Sequence, residues 1–329
     1  MTDEEMLGQL QRFFDEQLGG AGAGITSLVK TSVGRSRENW AFDLAWQEGG
    51  RERQEPLMLR CDPPGGLVET DRATEFAILR ALESTPVPAP AARWLDADGK
   101  WFGRPSLVMH REVGACEYYV LSGPRPLEER VGLAQQFCDL LAQVHCADWK
   151  STELVQVFDD KGEGAALAEL HHWEGILRRD QLEAYPEIEV AIQWMRSTAP
   201  VSEATVLVHG DFKPGNVLLE DDRIVALLDW ELAHLGDPME DLGWVTQPLR
   251  RREHIIPGAW EDAELFDRYQ NATGLSVHEP SVRWWNVFAT FRTAVMQVSG
   301  LRSFLEARSD DFYRPTARVL QALLECVDA

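Results

Sequence analysis

His209-Gly210-Asp211-Phe212-Lys213-Pro214-Gly215-Asn216, followed thirteen residues later by Asp229 within Leu228-Asp229-Trp230-Glu231, is the stretch that decides how this chain reads. Val206-Leu207-Val208 leads into it, and residues 217–219 and 224–228 flank an acidic turn at 220–223. That spacing predicts strand, loop, strand, turn, strand. Taken singly, Asp, Asn, Pro and Gly are ordinary turn residues. Together they set out a chemistry. Asp211 is placed to accept or orient a hydroxyl proton. Asn216 offers a neutral oxygen and Asp229 an anionic one, a donor pair for a hard cation that prefers oxygen. The hairpin between them would return Asp229 beside Asn216. Lys213, two residues after Asp211, carries a positive charge within reach of a phosphate. These are the groups that phosphoryl transfer to an alcohol requires.

Outward from this loop the chain changes character. Toward the N-terminus, residues 25–32, 40–47 and 56–60 read as strands, joined by a loop at 33–39 and a charged hairpin at 47–55. Phe76, Leu79 and Leu82 recur at helical spacing within 70–83. Thr85-Pro86-Val87-Pro88-Ala89-Pro90 ends that helix and enforces extended chain. Further strands are expected at 92–95 and 106–110. A first helix over 3–18 carries Met6, Leu7, Leu10, Phe13, Phe14 and Leu18 on one stripe and stops at a glycine-rich run. After Gly114 the pattern is mostly helical. Residues 127–147 place Ala134, Phe137, Cys138, Leu141, Val144 and His145 on one face, and helices are expected near 165–179, 187–197, 261–271, 280–299 and 313–327. Trp284 and Trp285 lie on the helix expected near 280–299, as core or as lining of an acceptor pocket. The fold class is therefore α+β: a β-rich, nucleotide-binding N-lobe at 1–110, a hinge near 109–114, and a helical C-lobe at 111–329 that carries the catalytic loop.

Composition narrows the function. The chain has 329 residues, 44% of them apolar, with 32 basic against 54 acidic residues and a formal charge of -22. A surface of that sign repels phosphate backbones and anionic lipid, so neither nucleic acid nor membrane is expected as a partner. Five cysteines without a Cys-x-x-Cys pair fit reduced thiols. His171-His172 has no cysteine close in sequence to complete a zinc motif and reads as a surface pair. The acidic N-terminus lacks the apolar stretch of a signal peptide, and no uncharged apolar run is long enough to span a bilayer. A cytoplasmic location is the expectation.

The loop at 209–216 with Asp229 resembles the H-G-D-x-x-x-x-N and D-x-E/D signature of the aminoglycoside phosphotransferase and choline kinase family, whose members share the bilobal protein-kinase-like fold. The resemblance runs over roughly residues 20–325. It includes Leu57-Met58-Leu59-Arg60, Glu75, Thr85-Pro86-Val87-Pro88, Val108-Met109-His110-Arg111 and Gly236-Asp237-Pro238 with Asp241-Leu242-Gly243. It is closest to the subgroup of the kinase-like domain fused to some acyl-CoA dehydrogenases. The resemblance implies ATP and Mg²⁺ as cofactors and the hydroxyl of a small molecule as acceptor. It makes Asp211 the catalytic aspartate, with Lys213 beside it, and Asn216 and Asp229 the magnesium ligands. Glu75 becomes the helix glutamate that pairs with a strand cation on the nucleotide phosphates. That cation is usually lysine, but here Arg60 holds the place, and a guanidinium can serve both groups bidentately. Ser36 and Asn39 fall in the nucleotide loop, and Met109 at the hinge side of the nucleotide. His209 is expected to pack and hydrogen-bond locally, and Asp241 to brace the loop. Three readings stay open: an aminoglycoside-type kinase, a kinase of hydroxyacyl thioesters, and a catalytically silent nucleotide-binding module.

Overall fold

The computed structural model describes residues 2–20, 22–31, 38–62 and 71–329. Five strands, β1 (Gly24–Thr31), β2 (Glu38–Glu48), β3 (Arg51–Cys61), β4 (Ala92–Asp96) and β5 (Ser106–His110), form an antiparallel sheet in the order β1-β2-β3-β5-β4. Alternation along β3 sets its two faces. Leu57, Leu59 and Cys61 turn to one side with Trp40, Phe42 and Leu44 of β2 and Val108 of β5. There helix α1 (Asp3–Gln17) covers them with Met6, Leu10, Phe13 and Phe14. Each such side chain, fully buried, contributes about 1.5–3 kcal/mol. Leu7, read from the sequence as part of the stripe, is 40% exposed. The opposite face carries Met58, Arg60, Leu107 and Met109 toward helix α2 (Arg72–Leu82), and so toward the rest of the molecule.

Two expectations about this lobe need correction. The segment 51–55 is strand and not hairpin loop: β2 and β3 pair out to Glu48 and Arg51, and only Gly49-Gly50, at φ +58 and +79, makes the turn. Both residues adopt the left-handed backbone that a two-residue hairpin needs. The ladder runs beyond the core, so its tip shows no apolar alternation. Likewise β2 already begins at Glu38, and Asn39 pairs with Thr31 on one side and Arg60 on the other.

Beyond the sheet the chain is helical: α3 (Leu127–His145), α4 (Leu154–Val157), α5 (Ala165–Asp180), α6 (Pro186–Thr198), α7 (Met239–Thr246), α8 (Arg251–His254), α9 (Asp262–Thr273), α10 (Glu279–Leu305) and α11 (Ala317–Asp328). Embedded among them are two small antiparallel pairs, β6 (Val206–Val208) with β9 (His234–Gly236) and β7 (Val217–Glu220) with β8 (Arg223–Leu227). Trp284 and Trp285 of α10 are 1% and 0% exposed, and the Trp284 indole donates to the Met195 carbonyl at 2.9 Å. The pair is core, not pocket lining. The two lobes meet through backbone where Leu227 N–H donates to the Pro88 carbonyl at 2.8 Å, and the chain just past the hinge is held where Ala115 pairs with Leu219. Among the described residues no helix is long and apolar enough to cross a membrane.

Candidate active site

The loop at 209–216 leaves β6 and is fixed from behind by one buried carboxylate. Asp241 on α7 accepts from His209 N–H at 2.8 Å, from Gly210 N–H at 2.9 Å and from His145 Nε2 at 3.0 Å. Burial alone would push this carboxyl up, but the hydrogen bond and charge of His145, with His209, outweigh it and carry the pKa down to about 2. Gly210 sits at φ +79, where a Cβ would lie 2.7 Å from the Leu232 carbonyl oxygen, so this position admits only glycine. The His209 ring donates from Nε2 to the Leu228 carbonyl at 3.0 Å and accepts the Asp211 N–H on Nδ1 at 3.2 Å. Burial lowers its pKa, so it stays neutral and structural.

The hairpin β7–β8 then closes the site. Leu228 N–H donates to the Asn216 carbonyl at 2.7 Å, which sets Asp229 next to the loop as the spacing predicts. Asp229 holds a left-handed backbone, φ 68 and ψ 60, at a cost of about 1–2 kcal/mol for a residue with a Cβ. The Asn216 amide donates to the Asp211 carbonyl at 2.9 Å and to Asp211 Oδ2 at 3.0 Å. Both amide hydrogens are thereby used, which leaves the side-chain oxygen as an acceptor that could take a cation. The Lys213 ammonium pairs with the same Asp211 carboxylate. Asp211, Lys213, Asn216 and Asp229 therefore converge at one place. Their oxygen donors, two carboxylates and an amide carbonyl, suit a hard divalent cation such as Mg²⁺.

From the sheet, Arg60 reaches this cluster. Its Nη1 donates to Glu75 Oε1 at 2.9 Å and its Nη2 to Asp229 Oδ1 at 2.9 Å. Glu75 is 2% exposed and has a second cationic partner, Arg72 at the start of α2, which also pairs with Asp62. Sequence reasoning missed Arg72, although its place three residues before Glu75 puts it on the same helix face. Lys30 lies over the Trp40 ring, 5.5 Å from its centroid. Met109 sits opposite Met58 in the β3–β5 ladder, 7% exposed. Asn39 is half-buried beside Arg60, and Ser36 lies outside the described residues.

A cavity of about 470 Å³ lies beside the catalytic hairpin, lined among others by Glu169, His172, Trp173, Glu231, His234 and Arg292. Arg292 links it to the loop, donating to the Gly210 carbonyl and, at 2.8 Å, to Glu240. His234 is set between Glu240 and Glu169. Burial disfavours its imidazolium, but the charges of Glu169 and Glu240 prevail and hold its pKa up at about 10. Apart from Glu231, which ends the motif begun by Asp229, these residues formed no sequence motif, because they come from α5, β9, α7 and α10.

The model of the phosphotransferase enzyme family (APH) matches residues 34–285. Acyl-CoA dehydrogenase family member 10 of Mus musculus is 29% identical over 96% of this chain and 30% of that protein. Member 11 of the same organism is 26% identical over 97% of this chain and 42% of its own length. The chain thus spans well under half of these curated relatives. Among solved structures, a candidate aminoglycoside phosphotransferase from Ralstonia eutropha aligns with TM-score 0.71 at 20% identity, covering 98% of this chain and 95% of that one. The choline kinase LicA from Streptococcus pneumoniae aligns with TM-score 0.64 at 14% identity, covering 97% and 99%. These likenesses show the bilobal kinase-like fold.

Proposed function

We propose, from the premise that this chain belongs to the phosphotransferase enzyme family, that it moves the γ-phosphate of ATP onto a hydroxyl of a small molecule with Mg²⁺. The observation that carries this reading is the convergence of Asp211, Asn216 and Asp229, tied by Asn216 to Asp211 and by Arg60 to the sheet. Asp211 accepts or orients the acceptor hydroxyl proton. Lys213 holds that carboxylate and offers positive charge to the transferring group. Arg60, positioned by Glu75, takes the nucleotide phosphates, while Ser36, Asn39 and Met109 belong to the nucleotide side. Asn216 and Asp229 would hold Mg²⁺, which neutralises charge on the phosphate oxygens when bound. The presence of all three polar residues in a braced geometry speaks against a silent module.

For the acceptor, the cavity beside the hairpin supports one class over another. A polycationic amino sugar calls for several unneutralised carboxylates. Here the two lining carboxylates, Glu169 and Glu231, share the cavity with the cationic Arg179, His234 and Arg292, and Trp173, Ile176 and Leu232 add apolar wall. With acyl-CoA dehydrogenase family members among the curated relatives, this favours a hydroxyacyl thioester. The test is MgATP consumption across simple alcohols, amino sugars and hydroxyacyl-CoA thioesters. Stimulation by the thioesters is expected. Stimulation by amino sugars alone would reverse the acceptor choice, and no acceptor-dependent consumption anywhere would remove the phosphotransferase reading.

A further inference from the structure

The cluster Glu169, His234 and Glu240 takes no part in the phosphate and Mg²⁺ chemistry above, although Glu169 and His234 line the cavity, and its geometry is specific. His234 Nδ1 lies 2.9 Å from the Leu232 carbonyl oxygen, which can only accept, so Nδ1 carries a proton. The other nitrogen, Nε2, therefore faces two carboxylate oxygens, Glu240 Oε2 at 3.1 Å and Glu169 Oε1 at 3.7 Å. Without its proton Nε2 would set a lone pair against two anions, so a positive charge, either the imidazolium proton or a bound cation, belongs between them. A single proton serves the Glu240 contact but leaves Glu169, at 3.7 Å, beyond hydrogen-bond reach. A metal ion accounts for both. Ligand atoms around a tetrahedral ion at 2.0–2.2 Å stand roughly 3.4 Å apart, and the two measured separations bracket that value. All three ligand atoms lie within 4.8 Å of one another.

We propose that Glu169, His234 and Glu240 form a site for a divalent transition-metal ion of the zinc class, separate from the Asn216 and Asp229 pair. Two carboxylates and one neutral imidazole give a doubly negative donor set of the kind zinc takes, with a fourth position open to the cavity that Glu169 and His234 line. Binding displaces the Nε2 proton to solvent. The supports around the ligands are those a metal site uses. Leu232 fixes the ring orientation through Nδ1, and Arg292 Nη1 holds Glu240 Oε1 at 2.8 Å, turning Oε2 to the ring. His172, one turn from Glu169 on α5, lines the same cavity wall. It is exposed, as the sequence reading expected of the His171-His172 pair.

The test uses the full chain, stripped with a chelator and free of nucleotide and Mg²⁺. Zn²⁺ titrated by calorimetry should bind at one ion per chain, and Co²⁺ should give the visible absorption of a tetrahedral site. Glu169→Gln changes a partly exposed helix residue and should leave the fold intact while weakening Zn²⁺ by about 100-fold. His234→Ala should do the same, and Asp229→Asn should leave Zn²⁺ affinity unchanged. Absence of saturable Zn²⁺ binding would overturn the proposal, leaving a proton-bridged ion pair. So would binding that survives both Glu169→Gln and His234→Ala in variants whose circular dichroism matches the parent.

Discussion

The Arg60 guanidinium joins the sheet to the catalytic hairpin: Nη2 donates to Asp229 Oδ1 at 2.9 Å while Nη1 donates to Glu75 Oε1 at 2.9 Å. One planar fork thus reaches from Arg60 to Asp229, 169 positions further along the chain. Lysine, with a single ammonium, could not address two carboxylates on different elements with the same geometry.

Arg60→Ala should therefore lower ATP-dependent turnover by about 100-fold or more, and Arg60→Lys should recover part of it. The fold should tolerate both, because Arg72 still pairs with Glu75. Glu75→Ala is different: it leaves two buried guanidiniums facing each other and should cost about 3–5 kcal/mol. Urea unfolding of the three variants checks this. Equal destabilisation by Arg60→Ala and Glu75→Ala would show that Arg72 does not compensate.

Asp241 ties folding to pH. Its carboxyl pKa falls from 3.8 to about 2 on folding. A lowered folded-state value gives stability that is fully present above the unfolded pKa and lost as pH falls through the folded one. Asp241→Asn places an amide where two backbone N–H groups seek acceptors, and should be the less stable protein at neutral pH. The gap between the two should shrink by about 2 kcal/mol from pH 4 to pH 2. Urea midpoints across that window measure it, and a constant gap would dissociate Asp241 from the acid limb.

Asp229→Ala should weaken Mg²⁺-dependent nucleotide binding more than Asn216→Ala, since an anionic ligand holds a divalent cation better than an amide does. Calorimetry of ATP with and without Mg²⁺ reads this directly. Greater loss from the asparagine change would reverse the ranking of the two ligands.

Much of this was legible because the informative residues are adjacent in sequence or carry a clean period. The 209–216 loop gave the strand–loop–hairpin order, and the Leu228–Asn216 hydrogen bond shows why Asp229 follows at that spacing. Arg60 could be placed only through the family resemblance, which puts a cation on that strand, and the alternation of β3 then sets it with Met58 on the face toward α2. Helix α7 showed no periodicity because every residue from Met239 to Thr246 is buried, and β9 is only three residues long. The cavity was invisible for a different reason: Glu169, His234 and Arg292 meet only through packing of distant elements. The Trp284-Trp285 pair was ambiguous since an aromatic at helical spacing looks the same in a core and in a pocket wall.

The most direct test follows the phosphate itself. With MgATP labelled at the γ-position and an acceptor that stimulates consumption, the wild-type chain should yield label as a stable phosphomonoester of the acceptor hydroxyl. Asp211→Asn should reduce that transfer by about 10²–10⁴-fold, with melting temperature and ATP affinity close to wild type. Label appearing only as inorganic phosphate, or transfer undiminished in Asp211→Asn, would contradict the assignment of this loop as the site of phosphoryl transfer.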